Sequence, residues 1–470
     1  MPDTSSAQAQ EEADFTLEEI IVTAQKREQN LEDVPGAVST ISGDAIEQYL
    51  GSAENIRALA GRVPGLQIES SNGRTQPRFY VRGLGNIDFD NNANQPVSMV
   101  FDDIALENNV LRSLPLFDID RVEVLKGPQG SLFGRNTNAG IVKIDSVRPT
   151  FEREGYASVG YGTRDTIAFE GAIGGEIADG WAARLSLKYQ ERDDWIDNTV
   201  NGPGDDFGAF DEFAWRLQFL YEGESFRGLL KLHGFEQEGT HPQLFYANAI
   251  ALGSEGLRPE FDEDVASNDG AAGMDLDHQG LALNLAWDVG TGTFTSITGY
   301  DSVENFQFAD VDGGQLSFNP ADIGTLGRQV FFSVATGDGL DDHSQLTQEF
   351  RFSNQADKLF YQVGLYYFDE NIDIISRDFA APTPFSDIVD QQTTSTAAFG
   401  QMEYAVTDAF SVIAGVRFTS DEKDLEVIPG PTSPSPPDTI SVEDDYFNWD
   451  LAFTHDLTDE WTIWRSKSVV

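Results

Sequence analysis

From about residue 155 to the last residue, apolar and polar side chains alternate one for one in segment after segment, and no other feature constrains the fold as strongly. Phe213, Trp215, Leu217, Phe219 and Tyr221 point one way, while Ala214, Arg216, Gln218 and Glu222 point the other. Leu185, Leu187 and Tyr189 oppose Arg184, Ser186, Lys188 and Gln190; Leu281, Leu283, Leu285 and Trp287 oppose Asn284 and Asp288. Phe410, Val412, Ala414, Val416 and Phe418 oppose Ser411 and Arg417. A period of two with one apolar face belongs to β-strands, and about 13 strands are expected here.

Soluble sandwiches share this alternation but join their strands by short turns. In this chain tight turns (Asp179–Gly180, Thr407–Asp408, Thr458–Asp459) contrast with long acidic connections at Asp193–Glu212, Gln237–Asp277 and Pro429–Asp445. That asymmetry, with Tyr189, Trp195, Tyr300, Tyr366, Tyr367 and Trp449 near strand ends, favours a transmembrane barrel. The sandwich stays open. No run of about 18 apolar residues occurs, so no transmembrane helix is expected.

The first 150 residues read differently. A helix over Asp44–Ala60, with Ser42–Asp44 as its cap, is followed by short strands at Pro96–Ile104 and Arg121–Leu125. Glu18-Glu19-Ile20-Ile21-Val22-Thr23-Ala24 is β-prone and close to the terminus, suited to adding to a partner's sheet edge or to starting this domain's own sheet. Phe79-Tyr80-Val81-Arg82-Gly83-Leu84-Gly85 follows Val63-Pro64-Gly65-Leu66-Gln67-Ile68. A third stretch runs Arg121-Val122-Glu123-Val124-Leu125-Lys126-Gly127-Pro128-Gln129-Gly130-Ser131-Leu132-Phe133-Gly134-Arg135-Asn136-Thr137. Its glycines at 127, 130 and 134, with Gly140, suit tight turns; no Gly-Lys-Ser/Thr follows, against a phosphate loop.

In order and spacing these stretches resemble the plug domain of TonB-dependent outer-membrane receptors. The resemblance implies a mainly β protein: a transmembrane antiparallel β-barrel, 22-stranded in the family, enclosing an N-terminal mixed α/β plug. It divides the chain into a leader remnant (1–17), a TonB box (18–24), a plug (25–150) and a partial barrel (151–470). By the same resemblance, Glu18, Glu19, Ile20, Ile21, Val22, Thr23 and Ala24 dock the periplasmic TonB energy-coupling protein. Arg82, Gly83, Glu123, Lys126, Gly127, Pro128, Gly130, Gly134, Arg135 and Asn136 form the plug motif. Arg78, Arg82, Arg121 and Arg135 are expected to pair with wall carboxylates or to stay solvated; each pair in a wet lumen would be worth about 0–1 kcal/mol. The implied function is uptake of a scarce large solute, a ferric siderophore by default, by a monomer in outer-membrane lipid. A surface adhesin or a non-transporting remnant is the alternative. At one strand per about 25 residues, 22 strands need about 550 residues, so the chain is expected to be truncated. Ala7-Gln8-Ala9 resembles a cleavage site with no signal peptide before it, which points to an upstream start.

Charge and composition exclude other classes. The 470 residues carry 30 Lys and Arg against 79 Asp and Glu, a net charge of −49, which argues against nucleic acid. Residues 1–150 carry −9 of this and the remainder −40, so a barrel lined with acid would repel anionic chelates. There is no cysteine, hence no disulfide or thiolate site. His233, His241, His278, His343 and His455 show no ligand spacing, so no metal or cofactor is expected. Asp275–His278, Asp310–Asp312 and Asp341–His343 read as solvated loop clusters, with calcium the less favoured reading. No G-x-S-x-G occurs, and an enzyme is not expected.

Overall fold

The computed structural model describes residues 20–50, 55–199, 206–240, 244, 246, 249, 256–259, 261–268, 270, 272–311, 313, 335–379, 385–458 and 461–469. The first 17 residues, Glu18, Glu19, Asp312 and Asp459 lie outside them. In chain order the first domain contains β1 (Ile21–Val22), β2 (Gln29–Asn30), β3 (Ala37–Ser42), α1 (Gly43–Leu50), β4 (Leu66–Glu69), β5 (Arg78–Val81), β6 (Val97–Phe101), β7 (Ile104–Leu106), β8 (Ile119–Lys126) and β9 (Gly140–Ser146). The second contains β10 (Glu154–Tyr161), β11 (Ile167–Ala178), β12 (Trp181–Arg192), β13 (Asp197–Asn198), β14 (Phe210–Glu222), β15 (Phe226–Gly239), β16 (Val265–Ala266) and β17 (Gly273–Asp288). It continues with β18 (Thr293–Asp310), β19 (Ala335–Ala356), β20 (Leu359–Asp378), β21 (Phe385–Thr407), β22 (Phe410–Pro429), β23 (Asp438–Thr458) and β24 (Trp461–Val469).

The first domain is built on a five-stranded sheet ordered β3-β8-β9-β6-β7. Its core packs Ile41, Ile46, Leu59, Phe79, Met99, Val122 and Ile144. The expected helix over Asp44–Ala60 is shorter: α1 ends at Leu50, and Ile56–Leu59 form a separate 3-10 turn. Asn55 starts that turn, its side chain accepting from Arg57 N at 3.0 Å. Pro96–Ile104 is not one strand. The chain reverses at Asp102 and Asp103, both at positive φ (49° and 73°), and Ile104 begins the partner strand.

The second domain is a 13-stranded antiparallel sheet, β10-β11-β12-β14-β15-β17-β18-β19-β20-β21-β22-β23-β24, matching the expected strand number. It curves around the first domain, and its burial is the reverse of a sandwich's. On β12, Arg184, Ser186, Lys188 and Gln190 are the buried side; on β14, Glu212, Arg216 and Gln218 are. Leu185, Phe213, Val363, Leu365, Val416 and Phe418 face outward and are exposed. A sheet that covers its polar face and exposes its apolar one is arranged for a lipid surround, which decides against the sandwich. At one end, connections of two to four residues join β11–β12, β14–β15, β17–β18, β19–β20, β21–β22 and β23–β24. Beside these turns a chain of outward rings follows the strand ends: Trp181, Tyr221, Phe226, Trp287, Phe294 and Phe350, with successive centroids 4.9–6.1 Å apart. It is an interfacial girdle; of the aromatics expected in one, Tyr300 and Tyr367 are exposed, and two others are placed elsewhere. Tyr366 faces inward near Arg417, and Trp195 lies in a connection under the Arg164 guanidinium.

The long connections at the other end are shorter than their composition suggested. Pro429–Asp445 is mostly ladder, since β23 begins at Asp438 and pairs Thr439 with Glu426 and Ser441 with Asp424. Gln237–Asp277 likewise loses its ends to β15 and β17. Beyond the membrane a strand is wetted on both faces, so backbone pairing continues after the alternation stops. Asp193–Glu212 loses its last three residues to β14, and its Asp197–Asn198 pair in parallel with Val265–Ala266 of the next connection.

Leu365 is an outward residue between Val363 and Tyr367. Leu365→Arg is expected to destabilise the protein folded in lipid vesicles by about 2–4 kcal/mol. Thr439→Arg, on the exposed part of β23, is expected to stay within about 0.5 kcal/mol. Denaturant unfolding from vesicles checks the contrast.

Candidate functional site

Many side chains on the polar inner face of the sheet pair with the first domain. Asp118, just before β8, accepts Arg184 Nε at 2.7 Å and Nη2 at 2.6 Å, and Ser186 Oγ as well. Asp102 accepts Lys231 Nζ at 2.6 Å and Ser146 N at 2.9 Å. Three pairs run the other way, with the cation on the first domain: Lys26 to Glu349, Arg27 to Glu403, and Arg74 to Glu212 at 2.8 Å. Wall side chains also reach backbone carbonyls: Lys188 donates to Leu116 O at 3.2 Å, Gln218 to Val147 O at 2.8 Å, Gln345 to Ala105 O at 2.8 Å and Gln362 to Gln25 O at 3.2 Å.

The expected wall-facing arginines are elsewhere. Arg121 binds Asp120, Glu123 and Asp145, and Arg78 lies 3.4 Å from Glu69, all within the first domain. Arg82, with φ 53°, is exposed in the two-residue Arg82–Gly83 turn closed by Val81 and Leu84. Arg135 is nearest the expectation: it lies over the wall's Phe368 ring at 4.8 Å, while its carboxylate neighbour is Glu107 at 3.8 Å. The wet-lumen estimate is corrected too, because Arg184 and Asp118 are 5% and 1% exposed. Removing one partner of such a buried pair costs about 3–5 kcal/mol.

The remaining motif residues divide between two places. Ser131 donates to Asp450 on the wall, and Asn136 donates to Glu107, whose carboxyl burial pushes up. Gly134 has φ 92°, and a Cβ there would stand 2.7 Å from Arg417 Cζ, so the wall guanidinium packs where only glycine leaves room. Gly127 N donates to Ala139 O at 3.0 Å, and Gly130 O accepts from Gly134 N at 3.1 Å; Pro128 is exposed. Lys126 and Glu123 do not face the wall. Lys126 donates to Ser39 Oγ at 2.7 Å, and Glu123 Oε1 accepts Thr23 N at 2.8 Å. Burial pushes the Glu123 carboxyl up, against the pull of Lys143 and the Thr23 amide.

The described part of the N-terminal segment, Ile20–Ala24, is therefore seated rather than free. Ile21 and Val22 pair with Asn30 and Gln29, and Val22 and Ala24 are buried with Val34, Leu125 and Ile141. Ile20 and Ile21 remain exposed. Lys26 and Arg27 then reach wall residues near the tight turns, since Glu403 lies close to the end of β21 at Thr407.

The family description "TonB-dependent Receptor Plug Domain" matches residues 30–141, and "TonB dependent receptor-like, beta-barrel" matches residues 232–467, half of the chain. The chain is a TonB-dependent receptor. Members of this family are Gram-negative outer-membrane proteins, so the sheet is the barrel wall and the first domain the plug. The receptor is 29% identical over 212 residues to the pesticin receptor of Yersinia enterocolitica, covering 44% of this chain and 30% of that protein. It is 26% identical over 181 residues to the vitamin B12 transporter BtuB of Vibrio vulnificus, covering 37% and 28%. Among solved structures, the ferric yersiniabactin uptake receptor FyuA from Yersinia pestis superposes with a TM-score of 0.76 at 19% identity, over 92% of this chain and 64% of that one. The siderophore receptor PiuA from Acinetobacter baumannii gives 0.71 at 15%, over 93% and 65%. The receptor chain thus spans under a third of those curated relatives and about two thirds of the solved chains.

Burial pushes the Asp102 carboxyl up, but Lys231 and Arg216 together hold it well below the usual carboxylate range. Its contribution to stability is therefore complete above the unfolded value of about 3.9 and is lost as pH falls through the folded one. Asp102→Asn is expected to cost about 3–5 kcal/mol at pH 7. The gap between the two unfolding midpoints should hold from pH 8 down to about pH 4, then narrow. A gap that widens on acidification would contradict the assignment.

Proposed function

We propose that this receptor performs TonB-dependent uptake of a large solute across the outer membrane, with Glu18–Ala24 as the segment on which the periplasmic energy-coupling protein pulls. The observation that carries the reading is the seat of Ile20–Ala24 at the tight-turn end of the barrel, which in bacterial barrels is the periplasmic end. There the segment offers an exposed Ile20–Ile21 edge for strand addition. Behind it, the Thr23–Glu123 hydrogen bond and the Lys26 and Arg27 ion pairs are the first contacts that a pull would load. The chain acts as a receptor and not as a catalyst.

The cargo we propose is an iron–siderophore complex. The names of this chain's fold neighbours, a ferric yersiniabactin uptake receptor and a siderophore receptor, support that class, whereas BtuB is named for vitamin B12. The net charge of −40 carried beyond residue 150 favours a neutral or cationic ferric complex over an anionic one.

Deleting Glu18–Ala24 is expected to abolish energised uptake of a bound ferric siderophore while surface binding stays within about twofold. Loss of binding together with uptake would make the segment structural. Competition with a panel of ferric siderophores and cyanocobalamin separates the cargo from the mechanism: inhibition by cyanocobalamin alone would overturn the siderophore and leave the TonB reading standing.

A further inference from the structure

One group of side chains on the polar inner face pairs within the wall rather than with the plug. His233 on β15, His278 on β17 and Asp301 on β18 converge: His233 Nε2 lies 3.1 Å and His278 Nε2 3.0 Å from the same oxygen, Asp301 Oδ1. The two imidazoles stand at 83° to each other with centroids 5.2 Å apart. One ligand atom from each residue falls within 4.8 Å of the others. His278 and Asp301 are 1% and 2% exposed, and His233 12%.

We propose that these three residues form a divalent transition-metal site in the barrel wall, beneath the plug. Around a tetrahedral ion with bonds of about 2.0–2.1 Å, ligand atoms stand about 3.3–3.4 Å apart, within a few tenths of an ångström of the two nitrogen–oxygen separations seen here; the two imidazole nitrogens, within 4.8 Å of each other, would draw together on the ion. The donor set of two imidazole nitrogens and one carboxylate oxygen suits zinc and its neighbours better than calcium or magnesium.

The sheet leaves space for the ion. Gly280 lies between His233 and Asp301 in the strand register. A Cβ at Gly280 would come 2.3 Å from His233 Nε2 and 2.4 Å from Asp301 Oδ1. Any other residue would fill the gap between the ligands. The plug closes the site: Phe101 approaches the His233 ring at 6.4 Å, and Ile104 and Leu106 line a cavity of about 10 Å³ beside it. The nearest cations are engaged elsewhere, Lys231 by Asp102 at 2.6 Å and Arg216 by the Phe117 carbonyl at 3.3 Å. The ion would clip three consecutive wall strands together where the plug rests on them.

Because the plug covers the site, the metal must be offered while the chain folds. The full chain, refolded into detergent with Zn²⁺ and washed with chelator, is expected to retain one equivalent. His278→Gln and Asp301→Asn should each lower retention at least tenfold, and so should Gly280→Ala, which keeps all three ligands. X-ray absorption of the zinc-loaded wild-type protein should report two imidazole nitrogens and one carboxylate oxygen, an answer that does not depend on any variant folding. No retained zinc, retention unchanged in folded variants, or an all-oxygen shell from the acidic connections would overturn the site.

Discussion

Everything in this molecule depends on charge that cannot be left alone in the interior. A barrel in lipid must turn its apolar residues outward, so the alternate residues, including Arg184, Arg216, Lys231 and Glu349, are forced inward. An uncompensated charge buried there would cost several kcal/mol. The plug supplies the compensation: Asp118, Asp102, Lys26, Arg27 and Arg74 each meet an opposite charge on the wall. Plug and wall are thus halves of one electrostatic arrangement, and neither sheet would hold its present side-chain geometry without the other.

The seam between plug and wall combines polar and apolar contacts. The plug's apolar core, among Leu59, Phe79, Met99 and Val122, continues into the wall at Phe235, Leu276, Ile297, Val303, Leu340 and Ile372, and hydrogen bonds and ion pairs make up the rest of the seam. The polar contacts can be exchanged for water as they part, whereas parting the apolar contacts would expose buried side chains such as Phe235 and Ile372. The N-terminal segment lies at one edge of that seam. Thr23 holds it to Glu123 in the plug, and Lys26 and Arg27 hold it to β19 and β21 of the wall. A pull applied there loads plug and wall at once.

Much of this was legible in the amino-acid order because it is local. Alternation on Leu185–Gln190 and Phe213–Glu222 announces strands; tight and long connections announce two unlike ends; the Arg121–Thr137 run announces the plug. What was not legible is who faces whom. Asp118 and Arg184, or Lys26 and Glu349, are brought together by strand register over long separations, and no short-range pattern marks them. Three of the arginines singled out in the sequence instead have their carboxylate neighbours inside the plug, Arg121 with Glu123 and Asp145, Arg78 with Glu69 and Arg135 with Glu107. Histidine spacing is silent about such neighbours for the same reason. A ligand rule written for helices and loops does not see His233, His278 and Asp301, which three adjacent strands place side by side, and Gly280 has meaning only once its cross-strand neighbours are known. The cluster Asp341–His343, read as loop, lies on β19 with His343 buried against Glu370 at 3.3 Å.

The central claim is that the plug is held by buried charge pairs whose two halves belong to different domains. A double-mutant cycle on Asp118 and Arg184, using Asp118→Asn, Arg184→Met and the double variant, measures it directly through unfolding free energies. The account predicts that the two substitutions are strongly non-additive, with a coupling energy of about 2–3 kcal/mol, at the upper end of the range for residues in contact. A coupling below about 0.5 kcal/mol, the value for independent or solvent-screened sites, would contradict it.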